Sequence, residues 1–297
     1  MPSSSPDAPF GFLNVDKPLG LTSHDVVSRV RRVFGLKKVG HAGTLDPLAT
    51  GVLIVCVGGV TRLSEYVMHQ TKTYRAHITL GAQTTTYDAE GEQTPVADPS
   101  HLTQHQVEAV LPRFTGDIQQ VPPIYSAIKK GGKKLYEMAR AGEDVQPEPR
   151  AVTIHALHIV QWGNPEFVLD ITCGSGTYIR SLAHDIGQTL GVGGYLSGLV
   201  RTSSGAFRID EAVDLETLQD SDDPHQYLVP PRKALSGFPA VNLTSAQVEE
   251  VSHGRTPGPT DAPDETLAFA YAPAGDFVAI LRASRGNWRP HKVFLTS

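Results

Sequence analysis

Gly40-His41-Ala42-Gly43-Thr44-Leu45-Asp46-Pro47-Leu48-Ala49-Thr50-Gly51 is the segment that most limits what this chain can become. Its glycines and its proline build a tight, defined backbone path, because glycine reaches conformations closed to other residues and proline fixes its own φ. The path leads directly into residues 52–57, Val-Leu-Ile-Val-Cys-Val, a continuously apolar run. Such a run predicts a strand buried on both faces. Asp46 therefore sits on a loop held against a buried strand, a common location for catalytic groups. The plainer alternative is that Asp46-Pro47 only begins a turn.

Upstream, residues 10–15 form a short apolar strand pattern, closed by the breakers in Asp16-Lys17-Pro18-Leu19-Gly20. Thr22 or Ser23 caps a helix, with Asp25 three residues after Thr22 as in a capping box. Val26, Val27, Val30, Val33 and Phe34 recur at helical spacing as its buried stripe, Arg29 and Arg32 fall off that stripe, and Gly35 ends the helix. Residues 74–80, 152–160 and 167–173 alternate as strands do, and 102–114 and 177–190 read as helices. Strands and helices mix without regular alternation, which predicts an α+β fold on a mixed or antiparallel sheet. Residues 220–237, acidic and proline-bearing, read as a linker. A helical pattern at 245–251 and strand patterns at 266–271 and 277–282 then make a small β-rich module. The expected division is a disordered lead at 1–9, a large domain at 10–225 and the module at 238–297.

A chain of 297 residues, 40% hydrophobic and 19% charged, can bury a core of that size. It contains no apolar run of about 18 residues, so no membrane span is expected. The first nine residues lack the basic and apolar regions of a secretory signal. Cys56 and Cys173 each lie in an apolar, strand-like segment, which fits free thiols in a reducing cytoplasm. The net charge of −5 speaks mildly against a nucleic-acid partner, but its distribution matters more. Between Lys17 and Gly40 stand six basic residues and one acid, and between Lys129 and Arg140 five and one. From Arg282 onward there are four basic residues and no acid, whereas Asp210 to Asp223 holds seven carboxylates and no Lys or Arg. Such segregation can present a basic face on an acidic chain, although any single run can equally be a solvated surface.

Gly174-Ser175-Gly176-Thr177-Tyr178-Ile179-Arg180 is a second glycine-bent junction from strand to helix. An arginine in a first helical turn opposes the helix dipole, which points either to a carboxylate partner elsewhere in the fold or to an exposed side chain with no role. Tyr74, in Lys72-Thr73-Tyr74-Arg75, opens a strand either as a core aromatic or as a stacking platform for a base. Gly131-Gly132-Lys133 imitates a phosphate loop, but Ala127 stands where the first glycine is required and no Ser or Thr follows the lysine. Nucleoside-triphosphate binding is therefore excluded. There is no HExxH and no paired cysteine motif, so no catalytic metal is expected.

Taken in order, these segments resemble the TruB family of tRNA pseudouridine synthases. The resemblance rests on Asp16-Lys17-Pro18-Leu19-Gly20-Leu21-Thr22-Ser23, on the glycine-rich segment around Asp46, and on Lys72-Thr73-Tyr74. Tyr125-Ser126-Ala127-Ile128-Lys129, Gly132-Lys133-Lys134-Leu135-Tyr136 and Gly176-Thr177-Tyr178-Ile179-Arg180 continue it through about residue 210. It implies a pseudouridine synthase fold with a mixed, mostly antiparallel central sheet, and an activity on the uridine at position 55 in the T-loop of tRNA. Asp46 falls on the family's catalytic aspartate. Tyr74 falls on its active-site tyrosine, and Tyr178 and Arg180 fall on its second tyrosine and its aspartate-pairing arginine. His41 matches a histidine that helps hold the flipped nucleotide, and Leu199 an apolar residue packed against the pocket. Val200 replaces one of two basic residues usual after that leucine. Phe238-Pro239 and His253-Gly254 anchor a resemblance of the C-terminal part to a PUA-type RNA-binding module.

The implied reaction detaches uracil from C1′ and rejoins it through C5, with no net redox change or hydrolysis, so it calls for no cofactor. The implied partner is the T-arm of tRNA, met by a monomer in the cytoplasm. The base must first leave its stack, at a cost of a few kcal/mol. Lys17, Arg29, Arg32, Lys130 and Lys133 are the expected RNA contacts, with Tyr74 as an aromatic face. An RNA-binding protein without catalysis would share the basic runs. A glycoside hydrolase would need a second positioned acid, which no other loop supplies. A related synthase acting on ribosomal RNA within a complex would share the core motifs.

Overall fold

The computed structural model describes residues 9–294 apart from 127, 136, 137, 139, 140 and 142–146; the side chains of Lys129, Lys130 and Lys134 also lie outside the described set. Its strands are β1 (Gly11–Lys17), β2 (Val39–His41), β3 (Ala49–Val57), β4 (Lys72–Leu80), β5 (Ala82–Thr84), β6 (Gln93–Pro95), β7 (Gly116–Gln120), β8 (Lys129–Lys130), β9 (Lys133–Lys134) and β10 (Arg150–Gln161). They continue with β11 (Glu166–Cys173), β12 (Gly194–Ser204), β13 (Phe207–Arg208), β14 (Val213–Asp214), β15 (Ala240–Asn242), β16 (Gly258–Pro259), β17 (Leu267–Tyr271), β18 (Phe277–Ser284) and β19 (Asn287–Val293). The main sheet runs β14-β1-β3-β12-β4-β11-β10-β7, with β2 paired to β3 and β13 to β12. Only β1/β14 and β3/β12 are parallel in it. The fold is thus α+β on a mixed, mostly antiparallel sheet.

β3 explains why its sequence is apolar throughout. Leu53, Val55 and Val57 join the larger core with the first helix, while Val52, Ile54 and Cys56 join a second cluster with Phe269, Tyr271, Phe277 and Ile280. A strand covered on both faces has no solvent side on which to place polar residues. The first helix, Ser23–Phe34, starts at a Thr22/Asp25 capping box and ends at Gly35 with φ +61°. That glycine supplies the left-handed C-cap without a Cβ penalty. The expected helix at 102–114 stops at Val110 and tightens to a 3₁₀ turn at Leu111–Phe114, where Pro112 sits.

Two expectations give way. Residues 220–237 are no linker: Phe12 and Val229 exchange both backbone hydrogen bonds, and Ala234 and Leu235 are buried in the second cluster. Acid and proline content there marks short capped turns, not free chain. The sequence also showed no strand at 194–204, yet β12 lies at the centre of the sheet between β3 and β4. Its glycines and serines, and bulges at 196/198 and 201/203, hide any alternation.

The C-terminal module is a five-stranded sheet, β15-β17-β18-β19-β16. It packs onto the main sheet through the shared second cluster. Arg62 adds a guanidinium 4.3 Å above the Phe294 ring, and Glu65 pairs with Lys292. No helix among the described residues is long and apolar enough to cross a membrane. Cys56 and Cys173 are free and buried.

Candidate active site

The loop carrying Asp46 is pinned from three sides. Ser23, the first residue of the first helix, donates to the Leu45 carbonyl at 2.9 Å and accepts from the Leu45 N–H at 2.8 Å. Gly20 N–H donates to the Pro47 carbonyl at 2.9 Å. From below, Arg201 on β12 reaches the carbonyls of Val52 at 2.6 Å, Gly43 at 3.1 Å and Thr44 at 3.5 Å. Arg201 pairs in register with Gly51 on β3 and with Tyr74 on β4. A Cβ on Gly51, whose φ is +93°, would lie 2.4 Å from the Arg201 carbonyl oxygen. Glycine is what allows the parallel β3/β12 contact just beyond the loop.

Asp46 stands at the open end of that parallel pair. Its Oδ2 meets Arg180 Nε at 3.0 Å, and its side chain stays 44% exposed. Burial raises the Asp46 pKa above the ordinary carboxylate value; Arg180 works against this, Asp88 adds to it and Lys17 opposes it. The Arg180 guanidinium is held further by Asp88 at 3.2 Å, the Thr86 carbonyl at 3.3 Å and the Tyr125 carbonyl at 3.0 Å. These acceptors account for an arginine at the second position of the helix Ile179–Thr189, where the dipole disfavours it. The predicted carboxylate partner is in fact a pair, Asp46 and Asp88.

Tyr74, Tyr178 and Lys17 all lie near enough to Asp46 to feel its charge. Tyr74 is buried, and burial raises its pKa, so its phenol keeps its proton. Tyr178 is half-buried and is the helix N-cap, just before the first turn where the sequence placed it. Its backbone is bracketed by Gln120, which accepts from the Tyr178 N–H at 2.8 Å and donates to its carbonyl at 3.0 Å. His41 ends β2; its Nδ1 is buried and has no partner among the described residues. Burial, with Arg201 and His24 beside it, lowers the His41 pKa and favours the neutral ring. Leu199 is opposite Ala49 on β3 and packs partly buried against the main core.

The RNA contacts expected from charge fare less well. Lys17 is fully buried, because β1 runs two residues past the expected end and places it opposite Gly51. Its ammonium bonds the Pro18 carbonyl at 2.8 Å and the Pro47 carbonyl at 3.5 Å. It is an internal cation under the Asp46 loop, not a surface contact, and burial pushes its pKa down to about 8. Arg29 borders a groove shared with Asp16, Asp214, Glu216 and Asp220, so the acidic stretch lies against this basic helix and not on a separate face. A phosphate there would meet four carboxylates. Arg32 is exposed on the same helix, and Lys133 is exposed on the β8/β9 hairpin. The Lys130 side chain lies outside the described residues, as does Tyr136. Among the described residues no three His, Cys, Asp or Glu side chains are grouped to hold a metal ion.

No site role was read from the sequence for Asp88 or Gln120, nor for Arg201, the basic residue that follows Val200. Asp88 and Gln120 are only 2% exposed and Arg201 only 1%. An isolated polar residue carries no periodic pattern; only burial with a partner marks it.

Comparison with known families decides the lineage. The model for the N-terminal domain of TruB family pseudouridylate synthases matches residues 31–179. The C-terminal domain models of tRNA pseudouridylate synthase B and tRNA pseudouridine synthase II match 180–234 and 238–295. The chain belongs to the TruB family of pseudouridine synthases. It is therefore an isomerase. A TruB relative from Symbiobacterium thermophilum, named tRNA pseudouridine synthase B, is 50% identical over 250 residues, 83% of each chain. One of the same name from Pelotomaculum thermopropionicum is 44% identical over 299 residues, covering 96% of this chain and 94% of its own. Among solved structures, a Cbf5–Nop10–Gar1 complex matches with a TM-score of 0.76 at 26% identity, over 99% of this chain and 91% of that one. The expected pseudouridine synthase fold with a β-rich C-terminal module stands.

Proposed function

We propose that this TruB family member converts uridine to pseudouridine at position 55 in the T-loop of tRNA, with Asp46 as the catalytic carboxylate acting on a flipped-out nucleotide. The observation that carries the reading is the Asp46–Arg180 pair at 3.0 Å, on a pinned loop, with Tyr74, Tyr178 and Lys17 around it. A carboxylate at once raised in pKa by burial and paired to a fixed guanidinium is a common signature of a reaction centre. The relatives' shared name supplies tRNA as the substrate class. The N1–C1′ bond breaks and a C5–C1′ bond forms, the C5 proton leaves and N1 gains one, so atoms balance without cofactor or metal. Ionised Asp46 can attack C1′, attack C6, or take a proton from C2′; each route uses the same carboxylate. Tyr74, kept neutral, offers a stacking face and its hydroxyl. His41, opposite Val55 on β3, and Leu199, opposite Ala49, are the further proposed contacts of the nucleotide. In this reading residues 10–225 carry the chemistry and 238–297 contact RNA, in a monomer working in the cytoplasm. Arg32, Lys130 and Lys133 remain the proposed phosphate contacts.

The test is tritium release from tRNA carrying 5-³H-uridine, with modified positions mapped in full tRNA and in an isolated T-arm hairpin. Wild type is expected to modify one T-loop uridine in both. Asp46→Asn is expected to bind tRNA and release no tritium; full activity in that variant would end the assignment.

A further inference from the structure

Two residues of the 86–88 turn grip Arg180 from outside the catalytic loop. Thr86 and Asp88 offer their oxygens to the same terminal nitrogen, at 3.3 and 3.2 Å. The residue between them, Tyr87, has φ +64°, a region that non-glycine residues enter only under strain. Only Glu265 and Arg285 share this property among the described non-glycine residues, and both lie in the C-terminal module. Strain beside a reaction centre persists only where surrounding contacts over-determine it. Here one such contact is a ring stack: Tyr87 lies on His184, with centroids 3.9 Å apart and planes 15° apart. His184 follows Arg180 by four residues on the helix Ile179–Thr189, so the two side chains stand on one face a turn apart. The 86–88 turn thus holds both successive helical positions, Arg180 through its oxygens and His184 through its ring. His184 Nδ1 is buried with no hydrogen-bond partner among the described residues, so no hydrogen bond at that atom keeps the imidazole there. On its other side the turn is tied to β12, where Leu196 N–H donates to the Tyr87 carbonyl and Ala89 N–H to the Leu196 carbonyl, both at 3.0 Å.

We propose that the Tyr87–His184 stack is a positioning device for the reaction: it holds the 86–88 turn on the helix so that Asp88 keeps the Arg180 guanidinium aimed at Asp46. The inference rests on the reading of Asp46 and Arg180 given above. Tyr87 and His184 act through Asp88 and Arg180 and do not touch the nucleotide.

The experiment is steady-state tritium release with the full chain for Tyr87→Gly, Tyr87→Phe, His184→Ala, Asp88→Asn, Asp46→Asn and the Tyr87→Gly/Asp88→Asn double variant. Glycine relieves the backbone strain and so offsets part of the stability lost with the ring, and thermal melting shows whether Tyr87→Gly is folded at the assay temperature. Its kcat is expected to fall about tenfold from a misplaced guanidinium. KM should stay within about twofold, as for an interaction made in the transition state. Tyr87→Phe keeps the ring and restores the wild-type rate, whereas His184→Ala removes the facing ring and reproduces the loss. In the Asp88→Asn background, Tyr87→Gly costs no further rate. Wild-type kcat in either Tyr87→Gly or His184→Ala overturns the proposal. So does a Tyr87→Phe variant as slow as Tyr87→Gly, or full additivity with Asp88→Asn. If Tyr87→Gly does not fold, His184→Ala, which leaves the turn's backbone intact, decides alone. An active Asp46→Asn sinks the reading of the site itself. An inactive Asp46→Asn beside a normal His184→Ala sinks only the stack.

Discussion

Arg180 faces two carboxylates that do different work. Asp88 is almost wholly buried, whereas Asp46 is 44% exposed. Breaking a buried ion pair by removing one partner costs about 3–5 kcal/mol, and Asp88 is the partner enclosed with the guanidinium. Asp88 therefore fixes the arginine, and Asp46 spends its share of the guanidinium on staying ionised. Arg180→Met is expected to lose turnover by about two orders of magnitude or more. The buried Asp88 left behind argues for a loss of about 3 kcal/mol or more in unfolding free energy, read as a clear drop in the urea midpoint. The pH profile gives a second check. Activity requires ionised Asp46, so it falls as pH drops through the raised pKa of that group. Arg180 is the largest influence lowering that pKa, so the acid limb of residual activity in Arg180→Met should move to higher pH. An unmoved limb would show that the pair does not set the ionisation of Asp46.

At the scale of elements, the site is made where β3 and β12 run parallel in an otherwise mostly antiparallel sheet. Their contact brings Leu199, Arg201 and Gly51 together, and Arg201 then carries the carbonyls of the Asp46 loop. Gly51→Ala places a methyl 2.4 Å from the Arg201 carbonyl at a positive φ. The combined clash and strain should destabilise the fold by on the order of 3 kcal/mol. Urea denaturation reads this directly, and an unchanged midpoint would mean that the strands can spread apart. β3 was legible because burial on both faces leaves an uninterrupted apolar signature. β12 was not, because its buried positions include Arg201, Ser203 and Ser204, which only partners on neighbouring strands can satisfy. Tyr178 and Arg180 were legible as a helix start, while Gln120, which brackets Tyr178 from 58 residues away, was not.

For the whole molecule, the charged groups enclosed around the site predict an uncommon pH dependence of stability. Lys17 and Lys72 both have pKa values lowered to about 8 by burial, from an ordinary 10.5. Between these values the unfolded chain binds more protons than the native one, so stability rises with pH. Cys56 and Cys173 act oppositely above 9.0, since burial pushes them up to about 12 and about 11 and the unfolded thiols ionise first. Stability should therefore climb from pH 8 to pH 9 and then level or fall. Lys72→Met should flatten the climb, and a urea midpoint that declines steadily above pH 8 would refute it. The sequence by itself determined the capped first helix, the doubly buried strand, the loop that bears Asp46 and the split into a large domain and a β-rich module. Those features follow from local backbone preference and from the period of apolar residues, which a linear chain displays directly. Tertiary structure alone decided that Lys17 lies inside, that the acidic stretch lies against Arg29, and that Asp88 and Arg201 complete the site. A buried charge has no sequence period; its place is set by partners that the fold brings from distant positions, and by the cost of leaving any of them unpaired.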